Sequence, residues 1–139
     1  MKKIALCLVA VVAASSFYAQ SAYAIKPFAD AFVEKYNLAD PKTDAEKELA
    51  ASVKEAKCAL CHGAKSKKVR NEYGVALGEL LDKADYSASR RKEEPEKVQE
   101  ELFAALEKVE MTKSKSGETF GEKIKAGKLP AAEGTDTEG

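Results

Sequence analysis

Apolar residues recur at intervals of three and four along most of this chain, with no stretch that alternates at two, so the pattern predicts helices and gives a sheet no support. Phe28, Phe32 and Tyr36 stand one turn apart and define a first short helix, which Asn37 to Lys42, with Pro41, interrupts. Thr43 followed by Glu46 has the form of a capping box, in which each side chain satisfies the other's free backbone N–H. It opens a second helix with Leu49, Val53 and Ala56 on one face. A third helix is expected from Asn71, carrying Tyr73, Leu77, Leu80, Leu81 and Ala84. Gly74 and Gly78 weaken it by about 1 kcal/mol each relative to alanine, but they give it a small face against which something flat or bulky can pack. Ser87 to Glu94 reads as a polar loop. Pro95 suits the first turn of a fourth helix striped by Val98, Leu102, Ala105 or Leu106, and Val109. Ser116-Gly117-Glu118 opens a fifth with Phe120 and Ile124, closed by Gly127 and stopped by Pro130, and residues 131–139 read as a disordered tail. The expected fold is all-α, a compact bundle of four to five short helices.

The N-terminus has a different character. Met1-Lys2-Lys3 is positive, Ile4 to Ala14 is an unbroken apolar run, and Ala22-Tyr23-Ala24 places small residues where a signal peptidase acts. Residues 1–24 therefore read as a secretory signal cut after Ala24, and the protein as exported to the periplasm or an equivalent compartment. The run falls short of the roughly 20 residues that span a bilayer, so no membrane anchor is expected after cleavage. Cys7 is discarded with the signal. What remains is one small domain over residues 25–130, with residues 25–42 as a helical extension at its start. The full chain has a formal net charge of zero, and losing Lys2 and Lys3 makes it slightly acidic, so no nucleic-acid or other polyanion surface is expected. A third of the residues are charged and none is tryptophan. The core must come from Leu, Val, Ala and a few Phe and Tyr, and a large apolar group would help to fill it.

The chain has one histidine and three cysteines, and His62, Cys58 and Cys61 fall together in Lys57-Cys58-Ala59-Leu60-Cys61-His62-Gly63. Two cysteines three apart, with histidine directly after the second, form the attachment signature of c-type haem. Each thiol adds to one vinyl group, two thiols one helical turn apart reach two vinyls of the same macrocycle, and the adjacent imidazole is aimed at the iron. A covalent link also makes sense outside the cytoplasm, where a lost haem is not readily replaced. Three other readings compete. Structural zinc needs four ligands, and a carboxylate or a second chain would have to complete this set. A thioredoxin-like redox pair belongs after a strand in a βαβ unit, and none is visible. A Cys58–Cys61 disulfide would close a ring too short to constrain much chain. The reading carried forward is one covalent haem c, with no catalytic group besides it and no enzymatic activity of the chain's own. A second histidine is absent, so bis-histidine ligation within one chain is excluded. Met111, the single methionine after residue 24, precedes the polar stretch Thr112 to Gly117 and is the expected distal ligand, although methionine also commonly fills gaps in a core. Lys113 or Lys115, Tyr73, water or a vacant site are the substitutes.

A helix leading straight into Cys58–His62, a lone later methionine and a terminal helix after it resemble the small monohaem class I c-type cytochromes. The resemblance implies a fold wrapped around one haem, with Cys58 and Cys61 as thioether anchors, His62 as proximal ligand and Met111 as distal ligand. Three features depart from the family: no proline lies between Pro41 and Pro95, Thr43 to Lys57 contains neither glycine nor aromatic, and Thr112 stands where proline commonly follows the methionine. The function expected is a one-electron carrier between a redox donor and acceptor, as a monomer or as a subunit of a complex. A haem-based gas sensor and a small relay subunit are the alternatives. Lys65, Lys67, Lys68 and Arg70 follow the proximal ligand and are expected to steer an acidic partner, while Glu93, Glu94, Glu96, Glu100 and Glu101 oppose them.

Overall fold

The computed structural model of the chain describes residues 26–63 and 68–131, so the expected signal sequence, Lys65, Lys67 and most of the expected tail lie outside the described residues. Those described form six α-helices: α1 (Lys26–Lys35), α2 (Asp44–Ala56), α3 (Glu72–Leu80), α4 (Ala88–Glu93), α5 (Pro95–Glu110) and α6 (Phe120–Lys125). Two 3₁₀ turns, Lys57–Leu60 and Lys83–Tyr86, join them, and among the described residues there is no strand. The all-helical expectation holds.

Capping explains most of the boundaries. Thr43 and Glu46 form the capping box read from the sequence, with the Glu46 carboxylate accepting the Thr43 N–H at 2.9 Å. Thr119 and Glu122 form a second one that starts α6, three residues later than the Ser116–Glu118 start expected. Ser87 accepts the Arg90 N–H at 3.2 Å and so makes a helix, α4, out of a segment expected to be loop. α3 stops at Leu80, because Leu81 turns extended and Asp82 caps the next 3₁₀ turn through the Ala84 N–H at 2.9 Å. Leu80 is therefore exposed and Ala84 lies outside the helix, while Leu81 stays buried.

The core gathers around α5, which packs against α1, α3, α4 and α6. Its stripe of Val98, Leu102, Ala105, Leu106 and Val109 is buried as the spacing predicts. An aromatic line crosses the bundle from α1 through α3 to α6: Phe32 meets Tyr73 edge-on at 6.0 Å, and Tyr73 meets Phe120 edge-on at 5.2 Å. Tyr73 has no exposed surface. Phe32 is buried beside it, and Lys35 and Tyr36 bond to Glu107 and Glu110 of α5 at 2.9 and 2.7 Å. The segment expected as an extension is thus one wall of the core. Pro130 and Ala131 are buried as well, so the packed chain reaches at least residue 131, where a tail was expected to begin.

Candidate functional site

α2 delivers the Cys58–His62 segment through an unusual residue. Lys57 adopts φ 49° and ψ −110°, a left-handed conformation disfavoured for a side chain with a Cβ, and this bend ends the helix and opens the 3₁₀ turn. Cys58 lies exposed on that turn, Leu60 is buried beneath it, and the N–H groups of Cys61 and His62 both donate to the Cys58 carbonyl. The thiols of Cys58 and Cys61 are free rather than joined. Beyond His62 the backbone doubles back on itself: Gly63 donates to the Val69 carbonyl at 2.9 Å, and Asn71 to that of Cys61 at 3.1 Å.

Cys61 and His62 line a cleft of about 190 Å³. Phe28 of α1, Leu77 of α3 and Leu81 give it apolar walls, and Lys68, Arg70 and Lys83 supply positive charge. Gly74 and Gly78 complete the lining, and both occupy close approaches. A Cβ on Gly74 would stand 1.9 Å from the backbone oxygen of Cys61, whereas one on Gly78 would stand 2.0 Å from the Arg70 guanidinium. The small face expected on α3 is therefore used, with the cysteine backbone itself as its neighbour. Phe28 is held in turn by an edge-on contact with Tyr86 at 5.4 Å, and Tyr86 carries the Arg90 guanidinium over its ring at 5.6 Å.

Desolvation pushes the Cys61 thiol up to about 12, with the Arg70 charge opposing the rise and Cys58 adding to it. A thiolate is thus strongly disfavoured at Cys61 in the folded chain. In His62, Nδ1 is buried with no hydrogen-bond partner among the described residues. Among the described residues no group of three or more His, Cys, Asp and Glu is arranged to hold a metal ion.

Met111 is placed apart from this cleft. It terminates α5, is 73 % exposed, and is not among the residues lining the cleft. Thr112, Lys113, Ser114 and Lys115, which follow it, line a second depression together with Glu72, Val75, Ala76 and Glu79. On a helix with 3.6 residues per turn those four positions of α3 lie opposite Gly74, Leu77 and Gly78, so the body of α3 stands between the two sites. The Lys115 N–H bonds to Glu72 at 2.6 Å, and Ser114 to the Glu118 carbonyl at 2.8 Å, which ties the loop down on that far side.

Of the expected docking cations, Lys68 and Arg70 reach the cleft, and Lys83, distant in sequence, joins them. The acidic segment is partly spoken for: Arg90 bonds Glu101 at 2.7 Å and Glu94 at 3.4 Å, and Lys97 pairs with Glu94 at 3.6 Å. Sequence reading missed Lys83, Phe28 as a wall of the cleft, and Asn71 as anything more than a helix start. Among the described residues no helix is long and apolar enough to cross a membrane. Comparison with protein-family models, with curated proteins and with solved structures gives no match to this chain.

Proposed function

We propose that this chain is an exported monohaem c-type protein whose role is to carry single electrons between redox proteins. The observation that carries the reading is the meeting of Cys61 and His62 at an apolar cleft rimmed by cations, with the free thiol of Cys58 exposed on the same turn. The donor set suits the group. Cys58 and Cys61 would hold the group through thioether bonds and the His62 imidazole would ligate its iron. The bound haem would supply a reversible one-electron iron couple.

The chain's own residues hold and insulate it. Phe28, Leu77 and Leu81 would pack against it, and Lys68, Arg70 and Lys83 would supply the charge that pairs with anionic porphyrin substituents. The cleft, about 190 Å³, is smaller than the roughly 300–1,000 Å³ pockets that enclose whole ligands, so it suits one edge of a macrocycle and leaves another for electron exchange. Positive charge left over after that pairing would steer an acidic donor or acceptor, at a rate that falls with ionic strength.

The position of Met111 across α3 favours a second reading at the sixth coordination position. Met111 lies outside the cleft lining, and an iron left open to water or a small molecule would make the protein a haem-based ligand binder. Expression in a host able to attach haem c tests both levels. Covalent haem is expected, seen as a mass increase retained after denaturation, and a polypeptide of bare mass would overturn the proposal. Met111→Ala with an unchanged spectrum, together with carbon monoxide binding to the reduced wild type, selects the open form. A spectrum altered by Met111→Ala selects the closed carrier.

A further inference from the structure

Asn71 is 2 % exposed and has its side-chain and backbone groups engaged. Its Oδ1 accepts the Gly74 N–H at 2.9 Å and so caps α3. Its Nδ2 donates to the carbonyls of Ala59 at 2.8 Å and Leu60 at 3.1 Å, and at 3.4 Å to that of His62. Its backbone N–H donates to the Cys61 carbonyl at 3.1 Å. Asn71 therefore donates to all four consecutive carbonyls from residue 59 to residue 62, with the three at Nδ2 sharing its two amide hydrogens. We infer that Asn71 is the positioning residue of the site, locking the Cys58–His62 turn onto the first turn of α3 so that Cys61 and His62 face the cleft.

Asparagine suits this position because the role needs an acceptor and donors on one short side chain. Serine keeps the acceptor that caps α3 but has no amide donors for the Ala59 and Leu60 carbonyls. Aspartate also keeps the cap and sets a negative charge against those carbonyls. The clamp and the Gly74 approach act together, since the Cys61 carbonyl that receives the Asn71 N–H is the atom against which Gly74 packs. A turn held this way presents its thiol and imidazole in one geometry without help from a bound group. The meaning of that geometry for metal ligation rests on the haem reading above; the clamp itself does not.

The test separates the two. In the full-length chain with its thiols reduced, Cys58 should react with N-ethylmaleimide at least roughly tenfold faster than Cys61, because Cys58 is exposed whereas Cys61 is partly buried and held in the turn. Asn71→Ser should raise the Cys61 rate by about tenfold while leaving Cys58 and the helical circular dichroism unchanged. Val109→Ala, which lowers stability through the buried stripe of α5 without touching the Asn71 hydrogen bonds, is the control and should leave the Cys61 rate near that of the wild type. Equal Cys61 rates in Asn71→Ser and Val109→Ala would overturn the inference, whether or not the protein carries haem. If both Asn71→Ser and Asn71→Asp fail to fold, the wild type still decides: slow exchange of the Asn71 side-chain amide protons is expected, and exchange at the rate of a free amide would overturn it. In haem-loaded protein, Asn71→Ser should shift the iron–imidazole vibration and Val109→Ala should not. No shift would remove the link to ligation.

Discussion

Gly74→Ala isolates the contact on which the cleft is built. In an unobstructed helix interior this substitution stabilises a protein by about 1 kcal/mol, because alanine is the better helix former. Here the new methyl carbon would stand 1.9 Å from the Cys61 carbonyl oxygen and 2.8 Å from the carbonyl carbon, so α3 or the turn must move by more than an ångström. The obstruction is backbone and cannot swing aside. Overpacking of this kind costs about 1–3 kcal/mol, and displacing the carbonyl also strains its bond from the Asn71 N–H, worth about 1 kcal/mol. Set against the gain in propensity, the expected net loss is about 1–3 kcal/mol, or roughly 5–15 °C in melting temperature for a domain of this size. Gly78→Ala is the internal comparison, since its Cβ meets only the flexible end of Arg70 at 2.0 Å. It should be neutral or stabilising by about 0.5 kcal/mol. Urea denaturation of the two variants reads both values, and a Gly74→Ala protein as stable as Gly78→Ala would refute the contact.

Lys57→Gly should stabilise the chain by about 1 kcal/mol in urea, because left-handed strain of roughly 1–3 kcal/mol is relieved against a smaller entropic penalty of glycine; a loss of stability would show that the bend is not strained. Tyr36→Phe should cost about 1 kcal/mol by removing the bond to Glu110, while Tyr73→Phe, whose hydroxyl has no partner among the described residues, should cost nothing. Thermal melts compare the pair, and a larger loss at Tyr73 would reverse this assignment. Burial raises both phenols, and Glu110 adds to the effect at Tyr36. Their folded-state values lie above the unfolded value of about 10, so their contribution is complete below pH 10 and declines as pH rises beyond it. Stability measured across that range should fall, less steeply in Tyr73→Phe, and a flat profile would contradict the burial.

The helices were legible where one local signal sufficed. The Thr43–Glu46 box and the stripe from Val98 to Val109 each work within a few residues, and the structure keeps both. α4 was not legible, because Ser87-Ala88-Ser89-Arg90-Arg91 lacks an apolar face, and what stabilises it is a serine cap and the Arg90–Glu101 pair to another helix. At the site, the cysteines and the histidine announced themselves by spacing. Phe28 and Lys83 did not, since they reach the cleft only through tertiary packing. The segment after Met111 had the polarity of a loop free to fold over a cofactor. Its course along the far face of α3 depends on Glu72 capturing the Lys115 N–H across 43 residues, a pairing that no local pattern reveals.

The docking of α1 on α5 has a consequence for the order in which the molecule assembles. Lys35 and Glu107, which join the two helices, are 72 residues apart, and closing a loop of that length costs on the order of 4 kcal/mol of chain entropy before any contact offsets it. Phe28 belongs to the same helix, so the wall it gives the cleft goes up only once α5 exists to receive α1. As the chain emerges from its N-terminus, Cys58 and Cys61 appear well before residue 95. Both sulfur atoms thus pass through an interval in which they are open to chemistry that the finished fold restricts at Cys61.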